Sequence, residues 1–347
     1  MAATTVYIKS QIRDLSPACF ALVMSTGIIS IACHLLKLNV LSNVFFFLNI
    51  VQYAVLVLML VLRIVFYTAN FKKDLTTDLT GPGFLTLVAG SCVLGIQFNL
   101  LRHLFDVACI LWFVAVVTWI IIVYTFLTVI TIKQNKPALA QSLNGGWLLF
   151  TVSTQALAIL GTQLLGHLPV DPGLHLFITL AAYFLGFFFY LLLISIVFFR
   201  LAFDPLSPAE LTPPYWVMMG AAAISALSGA TLIQAINKCH LYYDLLPVLK
   251  GLTLMMWIVA SWWIPLLLIL EIWRYCIKKF PVKYTAANWD TVFTLGMYTA
   301  CTFNSAGALQ SVFLTSISAV FIYVAVIVWL ITFVLMAGKL VKEVGVS

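Results

Sequence analysis

The charged and imidazole side chains of this chain, those of Asp, Glu, Lys, Arg and His, fall at the edges of long apolar runs. The five histidines are His34, His103, His167, His175 and His240, and two of them form Cys-His dipeptides, Cys33-His34 and Cys239-His240. Imidazole titrates at about pH 6.5 and ligates zinc, so an external pH sensor or a metal site is the chemistry these residues could do. Their spacing matches no zinc signature, and the seven cysteines contain no C-x-x-C pair; neither a metal site nor a disulfide framework is expected. Asp106, Asp171, Asp244 and Asp290 stand where helices should begin, a position in which a carboxylate stabilises free N–H groups and the helix dipole. Glu271 and Arg274, three residues apart, read as a local ion pair.

The sequence holds no H-E-x-x-H, G-x-S-x-G or Walker-type motif and no pair of carboxylates at membrane depth. It is not expected to be an enzyme or to need a cofactor. What remains is a recurring set of small and hydroxylated residues inside the apolar runs: Thr26, Gly27, Gly90, Ser91, Ser153, Thr154, Gly220, Gly296 and Thr299. Glycines, hydroxyls and exposed backbone let an ion pass without gripping it. A proton-coupled carrier, by contrast, keeps a titratable group near mid-membrane, and the span centres offer none.

The elements that must position these residues follow from composition. With 63% hydrophobic and 8% charged residues, the chain is far more apolar than a soluble domain and reads as an integral membrane protein. Ten apolar runs of spanning length fit near 17–36, 43–66, 82–100, 105–130, 146–165, 174–199, 214–236, 246–272, 289–306 and 313–337. Together they make one membrane domain over residues 1–347 with short termini, and the first run is expected to stay in the mature protein.

The runs alternate in character. Segments opening at Pro17, Gly81, Gly145, Pro213 and Asn288 share a pattern: a turn-former, then an aromatic (Phe20, Phe84, Trp147, Trp216, Trp289), then small residues. A bulkier aliphatic run follows each one. That is a two-helix unit repeated five times at a period of about 65 residues. Small-residue helices suit close packing or a water-filled path, and bulky ones suit lipid. Five odd helices inside five even ones is the expected arrangement.

Lysine and arginine set the orientation. With the N-terminus in the cytoplasm, 14 of the 18 fall on inner segments, so both termini are expected inside, in a plasma or inner cell membrane. The net charge of +7 is then topology and implies no nucleic-acid partner. All five odd helices start at the inner face in this orientation, and their positive dipole ends converge there and favour anions.

SPACFALVMSTGIISI resembles the opening Pro-x-x-Phe…Met-Gly-Thr-Gly element of the tellurite-resistance and dicarboxylate transporter family. WDTVFTLGMYTACT resembles that family's Trp-x-x-x-Phe-Pro-[Leu/Met] element in the ninth span. Plant slow anion channels, bacterial tellurite-resistance proteins and yeast malate and sulfite transporters are members. The resemblance covers all ten runs and implies five helical hairpins around a central pore, usually one pore in each protomer of a homotrimer. It also implies that Phe293 plugs the pore. Two positions depart from the family pattern: Ser25 replaces a frequent glycine, and Thr294 a frequent proline that would kink the helix beside the plug.

The sequence therefore leads to an anion channel or uniporter gated by Phe293, with the nine small residues as lining. The alternatives are a secondary transporter or exporter of malate-like C4-dicarboxylates, sulfite or tellurite, and a pore-less receptor or scaffold whose inner helices are small only for tight packing.

Overall fold

The computed structural model describes residues 2–346, and among these it is helical with no strand. The α-helices are α1 (Ala2–Arg13), α2 (Ala21–Leu35), α3 (Asn39–Phe66), α4 (Thr68–Leu75), α5 (Leu85–Arg102), α6 (Phe105–Ile132), α7 (Leu139–Ser142), α8 (Leu149–Gln163), α9 (Pro172–Phe203), α10 (Val217–Cys239), α11 (Leu246–Ile272), α12 (Asn288–Ala308) and α13 (Phe313–Val346).

Eight of these, counted with the short turns at their ends, are long and apolar enough to cross a membrane. The expectation was ten, and the two shortfalls have different causes. At 15 residues α2 is short, because the chain through Pro17–Phe20 forms a separate turn before it. At 21 residues α12 is long enough, but Thr, Asn and Ser lower its hydropathy.

Three of the turn-former–aromatic signals became single 3-10 turns: Gly81–Phe84 before α5, Gly145–Leu148 before α8 and Pro213–Trp216 before α10. Proline and glycine suit that tight geometry, and the aromatic that ends or nearly ends each turn packs into the bundle.

Burial divides the helices sharply. The spanning windows of α5, α8 and α10 are 78 to 94% buried, whereas those of α3, α6, α9, α11 and α13 are 22 to 33% buried. The buried group closes on itself: α2 packs on α5, α5 on α8, α8 on α10, α10 on α12, and α12 returns to α2. Each also packs on the helix that follows it in the chain, α3, α6, α9, α11 or α13.

A second set of contacts runs from each outer helix to the next inner one. Tyr53 Oη meets Ser91 Oγ at 2.9 Å (α3 to α5), and Trp119 Nε1 donates to Thr154 Oγ1 at 3.0 Å (α6 to α8). Tyr190 Oη donates to the Met218 carbonyl at 3.4 Å (α9 to α10), and Trp257 Nε1 to Thr302 Oγ1 at 2.9 Å (α11 to α12). Trp329 Nε1 donates to Thr26 Oγ1 at 3.1 Å, from α13 back to α2. In an apolar surround each such bond removes a polar group that would otherwise cost several kcal/mol.

Candidate functional site

The five buried helices enclose a cavity of about 530 Å³ toward the ends where they finish. Ile28 and Ile31 of α2, Val93 and Ile96 of α5, Ala156 and Ile159 of α8, Ile224 and Leu227 of α10 and Met297 of α12 form its apolar depth. Asn99, Thr162, Gln163, Thr231, Gln234, Lys238 and Asn304 make a polar rim, with Asn99 donating to Gln163 at 3.1 Å. No carboxylate is among the lining residues, and the one charged group is Lys238. An anion can stay hydrated at such a rim but must shed water to go deeper.

Phe293 is fully buried. It sits one helical turn before Met297, about 6 Å along the axis toward the start of α12. The segment around it is held on both sides. Ser25 Oγ shares its proton between the Trp289 carbonyl at 2.6 Å, across to α12, and the Ala21 carbonyl of its own helix at 2.7 Å; Thr294 Oγ1 donates to the Asp290 carbonyl of its own helix at 2.8 Å and lies 3.2 Å from the Trp216 carbonyl in the turn before α10. Both residues are the departures from the family pattern, and both bring the added hydroxyl against a neighbour's backbone. With threonine in place of proline, α12 runs unbroken from Asn288 to Ala308.

The nine small residues lie elsewhere than the cavity wall. Thr26, Ser91 and Thr154 take the outer-helix hydrogen bonds described above. Ser153 and Thr299 donate to carbonyls of their own helices, those of Phe150 and Leu295. The glycines are points of close approach: a Cβ on Gly27 would come within 2.4 Å of Val93, on Gly220 within 2.7 Å of Thr294, and on Gly296 within 2.7 Å of Ile28. Gly90 faces Val23 and Phe20 at 3.4 and 3.6 Å.

The residues that do form the rim were missed by the sequence reading. Their signal was available: amides recur near the ends of four buried helices, at Asn99, Gln163, Gln234 and Asn304.

The acidic residues behave unequally. Asp171 caps α9, its Oδ1 accepting from Leu174 N at 2.9 Å. Asp290 stands in the first turn of α12 but is 2% exposed, and its Oδ1 has no hydrogen-bond partner. Glu271 and Arg274 do not pair; Glu271 Oε1 instead accepts from Trp216 Nε1 at 2.9 Å. All five histidines fall at the end where the buried helices finish, His103 and His240 in left-handed C-cap positions and His167 stacked on Phe105 at 3.7 Å. Among the described residues no group of three or more His, Cys, Asp or Glu is placed to hold a metal.

A family described as voltage-dependent anion channels matches this chain over residues 14–337. An uncharacterized transporter of Methanocaldococcus jannaschii is 24% identical over 301 residues, covering 85% of this chain and 86% of its own length. An uncharacterized membrane protein of Mycobacterium tuberculosis is 36% identical over 160 residues, which is 46% of this chain and 81% of that protein.

Proposed function

This chain belongs to the voltage-dependent anion channel family, and from that premise we propose that it passes small anions along the axis shared by α2, α5, α8, α10 and α12, with Phe293 closing the path. In this reading ten helices cross the membrane as five hairpins, both termini are cytoplasmic, and the protein works as a homotrimer in the plasma or inner cell membrane. The observation that carries it is the position of Phe293, fully buried one turn beneath a cavity that all five helices line. A phenyl ring blocks a narrow path by bulk and by excluding water, and offers an ion nothing to bind. Lys238 at the rim and the absence of a lining carboxylate favour anions over cations.

The test is flux. Purified protein in liposomes is expected to conduct chloride, nitrate, sulfite or malate down its gradient, with reversal potentials that ignore an imposed pH gradient. Phe293→Ala should raise conductance severalfold with little loss of yield, and Phe293→Leu should fall between. A well-folded Phe293→Ala protein with unchanged conductance would remove this residue from the gate.

Asp290 favours a second reading. A buried carboxylate with an unpartnered oxygen, three residues from Phe293, is the kind of group that a proton-coupled carrier of dicarboxylates uses. Uphill malate uptake driven by a proton gradient alone, and lost in Asp290→Asn, would replace the channel by that carrier.

A further inference from the structure

Each outer helix carries a cation near its end: Arg63 on α3, Lys133 just past α6, Arg200 on α9, Arg274 just past α11 and Lys339 on α13. Four of the five have an acidic partner. Arg63 pairs with Asp74 and Lys133 with Asp78; Arg200 lies 3.8 Å from Glu210, and Lys339 3.7 Å from Glu343. Hydrogen bonds from the Ser207 hydroxyl and N–H, with the Arg200 charge a smaller cause, hold Glu210 below the ordinary carboxylate range.

Arg274 departs from the repeat. It is 6% exposed, it has no carboxylate partner among the described residues, and its Nε and Nη1 make no hydrogen bond. The rings of Tyr275 and Phe280 lie 5.0 and 4.8 Å from the guanidinium carbon. Ring faces attract the charge but do not satisfy N–H groups in the guanidinium plane. A buried cation with unmet donors is costly, and an arginine does not escape the cost by losing its proton.

Arg274 borders a cavity of about 480 Å³ where the starts of α10 and α12 meet the segment after α11. Thr212, Lys283, Asn288 and Phe280 also line it, no carboxylate does, and the Thr212 Oγ1 is itself buried without a partner. The two residues that carry these unmet polar atoms, Arg274 and Thr212, thus line one cationic cavity from two segments.

We propose that this cavity binds an oxyanion of the phosphate or sulfate type, held by Arg274, Thr212 and Lys283. A tetrahedral oxyanion has acceptors enough to serve a guanidinium, a hydroxyl and an ammonium together, which a halide does less well. The phosphate can be a free ion or the headgroup of an anionic lipid, because α11 exposes its outer face along its length. The site stands independently of the transport reading.

The experiment uses the full chain in a maltoside detergent, dialysed against labelled inorganic phosphate, and in parallel the chain recovered from nanodiscs containing phosphatidic acid and assayed for retained lipid by native mass spectrometry. Saturable binding of one phosphate per chain is expected, weakened about tenfold or more by Arg274→Gln and about threefold by Thr212→Val. Phosphate should raise the melting temperature of the wild type and not that of Arg274→Gln. Arg274-dependent binding of inorganic phosphate assigns the free ion; Arg274-dependent retention of phosphatidic acid without it assigns the headgroup. If Arg274→Gln does not fold, Thr212→Val and Lys283→Gln carry the comparison. Binding of neither ligand, or binding that these substitutions leave unchanged, overturns the proposal.

Discussion

At its start α12 is closely packed on its neighbours, with Ser25 bonded to the Trp289 carbonyl and Thr294 against that of Trp216; at its finish it borders a cavity of about 530 Å³ through Asn304. The glycines repeat the contrast. A Cβ on Gly145, among the starting turns, would meet the Pro214 carbonyl oxygen at 2.1 Å, whereas one on Gly307, at the finish of α12, would meet nothing closer than 4.0 Å. Rigid backbone contact belongs to the end beside Phe293, and open polar space to the other. A closure needs walls that do not give, and a place where ions collect needs room for their water.

The largest effect that sharpens this contrast is expected from paired glycine substitutions. Gly145→Ala should cost about 3 kcal/mol or more through a backbone clash, and most of the folded yield with it. Gly307→Ala should be neutral or gain up to about 1 kcal/mol from helix propensity. Thermal melts followed by size-exclusion chromatography compare the two directly, and a Gly145→Ala protein as stable as wild type would end the idea of a rigid starting end.

Next in size are the two hydroxyl clamps. Ser25→Ala and Thr294→Val should each lower stability by about 1 kcal/mol. They should also raise basal anion flux, since the segment carrying Phe293 is then less firmly held. Lost stability with unaltered flux would make the clamps purely structural.

The smallest effect is at the open end. Lys238→Gln should leave the melting temperature unchanged and lower inward anion flux about twofold at low ionic strength, with the difference fading in high salt as the charge is screened. A loss that persists in high salt would mean that Lys238 binds the ion directly.

The alternation of fine-grained and bulky helices was legible in the sequence because lipid-facing and buried helices have different compositions. So were the starts of the inner helices, where Gly81-Pro82, Gly145-Gly146 and Pro213-Pro214 can form little but tight turns. The direction in which each small residue points was not legible. A helix up to 94% buried has no polar face, so its periodicity cannot separate the side toward the axis from the side toward an outer helix. Thr26, Ser91 and Thr154 thus read as lining, although their hydrogen-bond partners are the outer-helix aromatics Trp329, Tyr53 and Trp119. The burial of Asp290 was not legible for a related reason: its place in the opening turn of α12 could be read, but not that Trp289 and Asp290 are both buried there.

The hydrogen bond from Trp329 to Thr26 joins residues 303 apart. The other four outer-to-inner contacts link neighbours in synthesis, so each can form as soon as the next helix arrives. This one cannot form until the last long helix has left the ribosome. Before it arrives α2, short and hydroxylated, has α3, α5 and α12 to pack on, but the side that Trp329 covers stays open. A chain that stops short of α13 can therefore still close the inner ring through α12 and α2, but it leaves the Thr26 hydroxyl without its tryptophan and the outer side of α12 as an open, sticky edge.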